Sequence, residues 1–247
     1  MASVARSTLI LMTTFQLVFC LHGQERCDRE VKLLLSPTQV QAAIPALQAR
    51  GETHGQIYFY DTPGLDLLAK GVILRLREGA ENDITAKLRP LSSEKFSDPS
   101  GGRERYKCEV DLIDGVENPS FSLQKKYVAA EAPETGEGLF QLLSEGQKKL
   151  LDDSKAQIDW KRVKRIAMIQ STSWTIRTKP LGKLNLELWE WPSGSILEIS
   201  MKVAQDAKQV ADVELRHLVY KNGLALSTNQ RSKTAIALEQ ITAAHQQ

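Results

Sequence analysis

Asp28-Arg29-Glu30-Val31-Lys32 sets acid, acid and base at every second residue. In a β-strand, residues i, i+2 and i+4 share one face, so Asp28, Glu30 and Lys32 stand side by side. Such a face is costly to bury unless its charges are matched. The same device returns at Arg75 and Arg77, at Thr85, Lys87 and Arg89, at Arg105, Lys107, Glu109 and Asp111, and at Glu198, Ser200 and Lys202. Charge at period two on successive strands predicts an α+β fold, a β-barrel with a charged interior and helices packed outside.

The rest of the chain is compatible with that reading. Its 247 residues can bury a substantial core. With 25% charged and 42% hydrophobic residues, the composition is that of a folded protein. A net charge of +2 gives no bulk attraction to nucleic acid or membrane, so anion affinity must come from local clustering. The short basic run Lys161-Arg162-x-Lys164-Arg165 is too small to alter this, and no nucleic-acid partner is expected. His54 and His217 lack metal-like spacing.

Residues 1–23 stand apart. Arg6 precedes an uncharged, mostly apolar run over 7–21, shorter than the ~20 residues that span a bilayer. It reads as a secretory signal peptide, which makes the protein periplasmic or secreted. An uncleaved leader is the other reading and the one route to a membrane. Residues 24–247 then form a single domain. Cys27 and Cys108 each precede an acid of the charged face, so both point outward. They can pair in an oxidising compartment if their strands are neighbours; otherwise they are two separate buried thiols.

Along the chain, Ser36-Pro37 opens a helix carrying Val40, Ile44 and Leu47, which Gly51 stops. Strands are expected over 57–61 and 71–78, the latter in a hairpin with 84–89, and over 103–112 after an exposed loop at 91–102. An Ala-, Glu- and Pro-rich connector at 128–138 leads into an amphipathic helix with Leu139, Leu142, Leu143 and Leu150. It joins halves of about 28–130 and 155–247. Residues 163–179 form a strand pair or one long strand, and 183–191 with 196–203 form a hairpin around Pro192-Ser193-Gly194. A helix over 203–220 ends at Asn222-Gly223, and another begins near Asn229. Trp189 and Trp191 read as packing residues on the barrel rim.

A lumen holding both signs is neutralised either by internal ion pairs, which seldom improve on an apolar core, or by ligands. Carboxylates suit a hard cation, and Arg and Lys suit phosphate oxygens. The mixture fits a metal-bound polyphosphate better than either partner alone.

Taken together, Asp28-x-Glu30-x-Lys32, Tyr58-Phe59-Tyr60-Asp61-Thr62 followed by Leu74-Arg75-Leu76-Arg77, Thr85-Ala86-Lys87, Lys107-x-Glu109-x-Asp111 and Glu198 resemble the CYTH, or triphosphate tunnel metalloenzyme, family over roughly residues 28–235. The resemblance implies an eight-stranded antiparallel tunnel that binds a triphosphate-containing small molecule or polyphosphate with Mg²⁺ or Mn²⁺ and hydrolyses it; some members are adenylate cyclases. By position it implies Asp28, Glu30, Glu109, Asp111, Glu187 and Glu198 as metal ligands, with Glu30 and Glu109 as the catalytic carboxylates that orient water. It implies Lys32, Arg75, Arg77, Lys87, Lys107, Arg165, Arg177 and Lys233 as phosphate clamps. Two departures stand out: Asp28 replaces the family's first Glu, and the late Glu-x-Glu is Glu198-x-Ser200, with Lys202 on the same face. They leave a second reading open, a non-catalytic polyphosphate-binding protein with a degraded metal site.

Overall fold

The computed structural model describes residues 27–89, 98–102, 104–128, 131–204 and 207–244. The leader, and most of the loop expected at 91–102, lie outside them. Nine strands form a closed barrel: β1 (Asp28–Leu35), β2 (Arg50–Asp61), β3 (Val72–Gly79), β4 (Asp83–Leu88), β5 (Arg105–Ile113), β6 (Val116–Lys126), β7 (Lys164–Thr178), β8 (Gly182–Trp191) and β9 (Gly194–Val203). Around the ring they run β1-β5-β6-β4-β3-β2-β7-β8-β9, so strands from both halves of the sequence share one sheet.

The expected barrel is present, with one strand more than expected and one parallel contact. An odd ring cannot alternate direction throughout, and the necessary parallel pair is β1 with β5. The extra strand is β6, which the sequence reading passed over because Asn118 and Pro119 interrupt it. Pro119 opposes Val110 of β5, while the pairing of β6 with β4 begins only at Phe121. Its missing N–H therefore falls beyond the end of β4, where no ladder bond is required.

Alternation decides what each face meets. Outward residues of β1 and β7–β9 (Val31, Leu33, Trp174, Leu186, Ile199) pack against α1 (Val40–Ala46) and α5 (Lys208–Lys221). Outward residues of β2–β4 and β6 (Tyr58, Leu74, Ala86, Leu123) pack against α3 (Gly136–Leu142) and α4 (Glu145–Asp153). These two helices replace the single one expected. The chain breaks at Ser144, which caps α4 in a reciprocal capping box with Gln147. Gln147 is fully buried and donates to Ile84 O at 2.8 Å and Leu123 O at 3.1 Å. The fifth helix spans 208–221 rather than 203–220, because Val203 still pairs with Arg29 of β1.

A third apolar cluster lies inside one end of the barrel. Leu34, Ile57, Phe59, Ile73, Trp189 and Ile196 meet Ile236, Ala237 and Ile241 of α6 (Lys233–Ala244), which plugs that end. The short α2 (Asp66–Ala69) lies beside it, and its Leu65 and Leu68 flank the cluster. Asp61 fixes α2: it is buried and accepts from the backbone N–H of Thr62 (2.6 Å), Leu67 (2.8 Å) and Leu68 (2.9 Å). Gly71, at φ +74°, lets β3 start against the end of β4, since a Cβ there would come within 2.1 Å of Arg89 O. Among the described residues, no helix is long and apolar enough to cross a membrane.

At the parallel seam, Asp28 opposes Glu109, so the preceding residues meet as well. Cys27 and Cys108 form a disulfide with Cα atoms 4.5 Å apart, across a separation of 81 residues. Closing a loop of that length constrains the unfolded chain by about 2–5 kcal/mol. The double variant C27S/C108S should therefore melt on the order of 10 °C lower than the oxidised protein. Reduction of the wild type should reproduce that shift, and an unchanged melting temperature in both would refute the bond's role.

Candidate functional site

The lumen is built from side chains at every second position of seven strands. β3, β4 and β5 contribute a basic wall of Arg75, Arg77, Lys87, Arg89 and Lys107, with Glu109 and Asp111 set into it. β1, β8 and β9 contribute an acidic wall of Asp28, Glu30, Glu187 and Glu198, answered by Lys32, Lys202 and, from the first residue of α6, Lys233. Small buried hydroxyls of β6, Ser120 and Ser122, lie opposite Glu109 and Lys107 and leave room for them.

At the seam between the walls, Glu30 opposes Asp111 on the parallel strands. Two acids side by side require cations. Lys32 Nζ lies 3.2 Å from Glu30 Oε2 and 3.0 Å from Asp111 Oδ1, and Arg89 donates to Asp111 Oδ2 at 2.9 Å. Burial would favour neutral groups, but Lys32, Lys87 and Arg89 hold the Asp111 carboxyl well below the carboxylate range, while Asp111, Glu198 and Glu30 raise Lys32.

The basic wall has more positive charge than partners. Lys87 Nζ is 3.3 Å from Glu109 Oε2, and Lys107 stands 4.0 Å from Glu109 Oε1. Burial first, and then neighbouring Arg89, push Lys87 down to about 8. Burial and Arg77 push Arg75 down to about 10. Arg75 donates to Thr85 Oγ1 at 3.4 Å; its buried Nε has no hydrogen-bond partner, and nor does that of Arg89. Among the described residues no carboxylate lies within 4.0 Å of Arg75. Buried donors without partners are rare in folded proteins. Burial resists ionisation of Glu109, but Lys87 and Lys107 prevail and hold it ionised. Arg77 is tied to Asp83 and Glu81.

Toward the plugged end, Lys233 bridges Glu187 and Glu198, at 2.8 Å from Glu198 Oε1, with its Nζ 4.5 Å above the Trp189 ring. Glu187 also accepts from Ser171 Oγ and Trp189 Nε1, both at 2.8 Å. Trp189 is therefore not on the rim: it is buried in the lumen, its ring 5.8 Å from that of Phe59 and tilted by 54° to it. Near the open end, Ser200 Oγ donates to Glu30 Oε1 at 2.7 Å, and Lys202 meets Asp28 Oδ2 at 3.0 Å, both of that pair exposed.

Of the residues the sequence singled out, Asp28, Glu30, Lys32, Arg75, Arg77, Lys87, Lys107, Glu109, Asp111, Glu187, Glu198 and Lys233 come together on the lumen face. Two do not join them. Strand parity with Ser171 sets Arg165 inside, but a bulge between Ala167, opposite Phe59, and Arg165, opposite Tyr60, turns it outward. There it pairs with Glu134 and lies 5.3 Å from the Tyr58 ring. Arg177 keeps lumen parity but stands exposed at the end of β7, opposite Lys183. Arg89 was legible in the run Thr85, Lys87, Arg89 but was not assigned a role; its contact with Asp111 puts it in the cluster.

The acidic wall offers the oxygen donors that Mg²⁺ or Mn²⁺ prefers. Among the described residues no three carboxylates converge as a cage. That donor set fits a cation that takes one or two carboxylates and completes its shell with phosphate oxygens, as Mg²⁺ does.

Burial alone would raise the Glu187 carboxyl, yet Lys233, Trp189 and Ser171 hold it down to about 2. A depressed carboxyl stabilises the fold above its unfolded value near 4.3, and the contribution disappears as pH falls toward about 2. The melting temperature should drop steeply between pH 5 and 2.5, and Glu187→Gln should flatten that drop. Equal slopes for variant and wild type would contradict the assignment.

No family model and no curated protein matches the chain. Solved structures do. A candidate adenylyl cyclase from Hippeastrum, described as having a dominant triphosphatase activity, is 20% identical over 84% of this chain and 93% of its own, with a TM-score of 0.57. A candidate adenylate cyclase from Bacillus halodurans is 14% identical over 85% of this chain and 97% of its own, with a TM-score of 0.56. The chain thus has the fold of these two adenylate cyclase-like proteins.

Proposed function

We propose that the protein hydrolyses inorganic or organic triphosphates in its lumen with the help of a divalent metal. The observation that carries this reading is the half-buried basic wall with unmatched buried donors, Arg75 Nε above all, facing an acidic wall across one narrow lumen. The lumen cavity is only about 70 Å³, well below the ~300–1,000 Å³ of small-molecule sites. A triphosphate therefore enters by exchange. Arg89, Lys87 and Lys32 leave Asp111, Glu109 and Glu30 and turn to phosphate oxygens, and the carboxylates they release regain free lone pairs. Glu30 or Glu198 would hold the metal, with Asp111 opposite Glu30 across the seam. When bound, the metal supplies neutralisation of charge on the transferring phosphoryl group. Arg75, Lys87 and Lys107 clamp the chain of phosphates. Glu30 or Glu109 orients the attacking water by accepting its hydrogen bond.

A second reading rests on Ser200 and Lys202. A serine donates to Glu30 and an ammonium occupies Asp28, which weakens cation binding near the open end and favours a polyphosphate binder without turnover. The Cys27–Cys108 bond supports an oxidising, periplasmic or extracellular location for either reading. Scarce ATP there disfavours cyclase activity.

Phosphate release from tripolyphosphate with Mg²⁺, Mn²⁺ or EDTA separates the two. The hydrolase reading expects release that needs metal, falls at least ~100-fold in Glu30→Gln, and shows a KM raised ~10–100-fold in Arg75→Ala, the loss of a charged hydrogen bond. No release, with tripolyphosphate still raising the melting temperature, would establish the binder. Neither effect would leave the lumen a structural ion-pair network.

A further inference from the structure

At the plugged end a second cavity of about 550 Å³ opens beside α6, between α2 and the start of β6. It differs in chemistry from the lumen. Its walls are Leu65, Leu68, Ala69, Pro119 and Ala235, and the acids at its edge are already matched: Glu117 is paired with Arg29 at 2.9 Å and with Lys208, and Glu239 with Arg231 at 2.7 Å. A cation gains little there, and a free phosphate gains nothing from the apolar walls.

The two cavities adjoin. Ile73, Arg89 and Ser232 line both. Arg89 is the polar element of that common wall; one of its terminal nitrogens is held by Asp111, while its buried Nε lacks a partner. A single arginine thus stands between a space that suits phosphates and a space that suits an uncharged organic group. The lumen is too narrow for such a group, whereas the groove lies within the ~300–1,000 Å³ of small-molecule sites.

We infer that the groove between α2 and α6 is the subsite for the organic portion of an organic polyphosphate: a flat, uncharged group of about nucleoside size, with its phosphates running past Arg89 into the lumen. This rests on the lumen being a polyphosphate site. It makes an organic ester, rather than inorganic tripolyphosphate, the preferred ligand.

The test compares ATP, GTP and UTP with tripolyphosphate by calorimetry in Mg²⁺, using wild type, Ala235→Trp and Ala69→Trp. Each tryptophan fills the groove from a different helix and replaces no charged residue, and melting curves check folding. At least one nucleotide should bind wild type five-fold or more tighter than tripolyphosphate. Both variants should weaken that nucleotide at least ten-fold and leave the tripolyphosphate Kd within two-fold. If tripolyphosphate binds wild type but no nucleotide binds better, or if folded variants weaken both ligands alike or neither, the groove is not the subsite. If tripolyphosphate itself does not bind wild type, the lumen reading fails first and the subsite falls with it.

Discussion

The constraint on which the structure depends is that charges of both signs are closed inside a barrel and must be matched there. Water cannot compensate buried Asp111, which the parallel seam sets opposite Glu30; Lys32 and Arg89 do so instead. Removing one member leaves an uncompensated buried charge, which costs far more than the intact pair contributes. A purely structural interior would be simpler to build from apolar residues, as the outer faces of the same strands are. The incomplete matching on the basic wall is therefore the informative part. Arg75 and Arg89 retain donors without acceptors, and burial, then neighbouring Arg89, push Lys87 down to about 8.

The barrel was legible because period two is unambiguous when its alternate residues are charged. Asp28-x-Glu30-x-Lys32 fixes a face on its own, and the outward leucines and valines leave no other register open. The neighbouring of Cys27 and Cys108 required knowing that β1 lies beside β5, a long-range fact that parity does not contain. β6 escaped notice because its inward residues are serines and Pro119 breaks its pattern. Arg165 was misread for a physical reason: one extra residue in β7 reverses the face, and no local signal marks the bulge. The plug was unreadable for a different one, since the apolar face of α6 is that of any packed helix until the barrel end that it fills is known.

The family-like motifs divide into two kinds. Lys87, Lys107 and Glu109 stand in the lumen, whereas Asp61 and Thr62 of the aromatic run serve the fold. Asp61 accepts from the backbone N–H of Leu67 and Leu68 in α2 and of Thr62 before it, and Thr62 Oγ1 accepts from Asp66 N at 3.0 Å. By setting α2 beside the plug they shape the closed end of the lumen and the groove next to it. Ser200 and Lys202 hold the two carboxylates nearest the open end, Glu30 and Asp28.

The most direct measurement of the central claim is a crystal structure with tripolyphosphate and Mn²⁺, the metal located by its anomalous signal. The account predicts phosphates within hydrogen-bond distance of Arg75, Lys87 and Arg89, the Lys32–Asp111 contact opened, and manganese against Glu30 or Glu198. Polyphosphate bound on the outer surface, with every lumen ion pair intact, would contradict it.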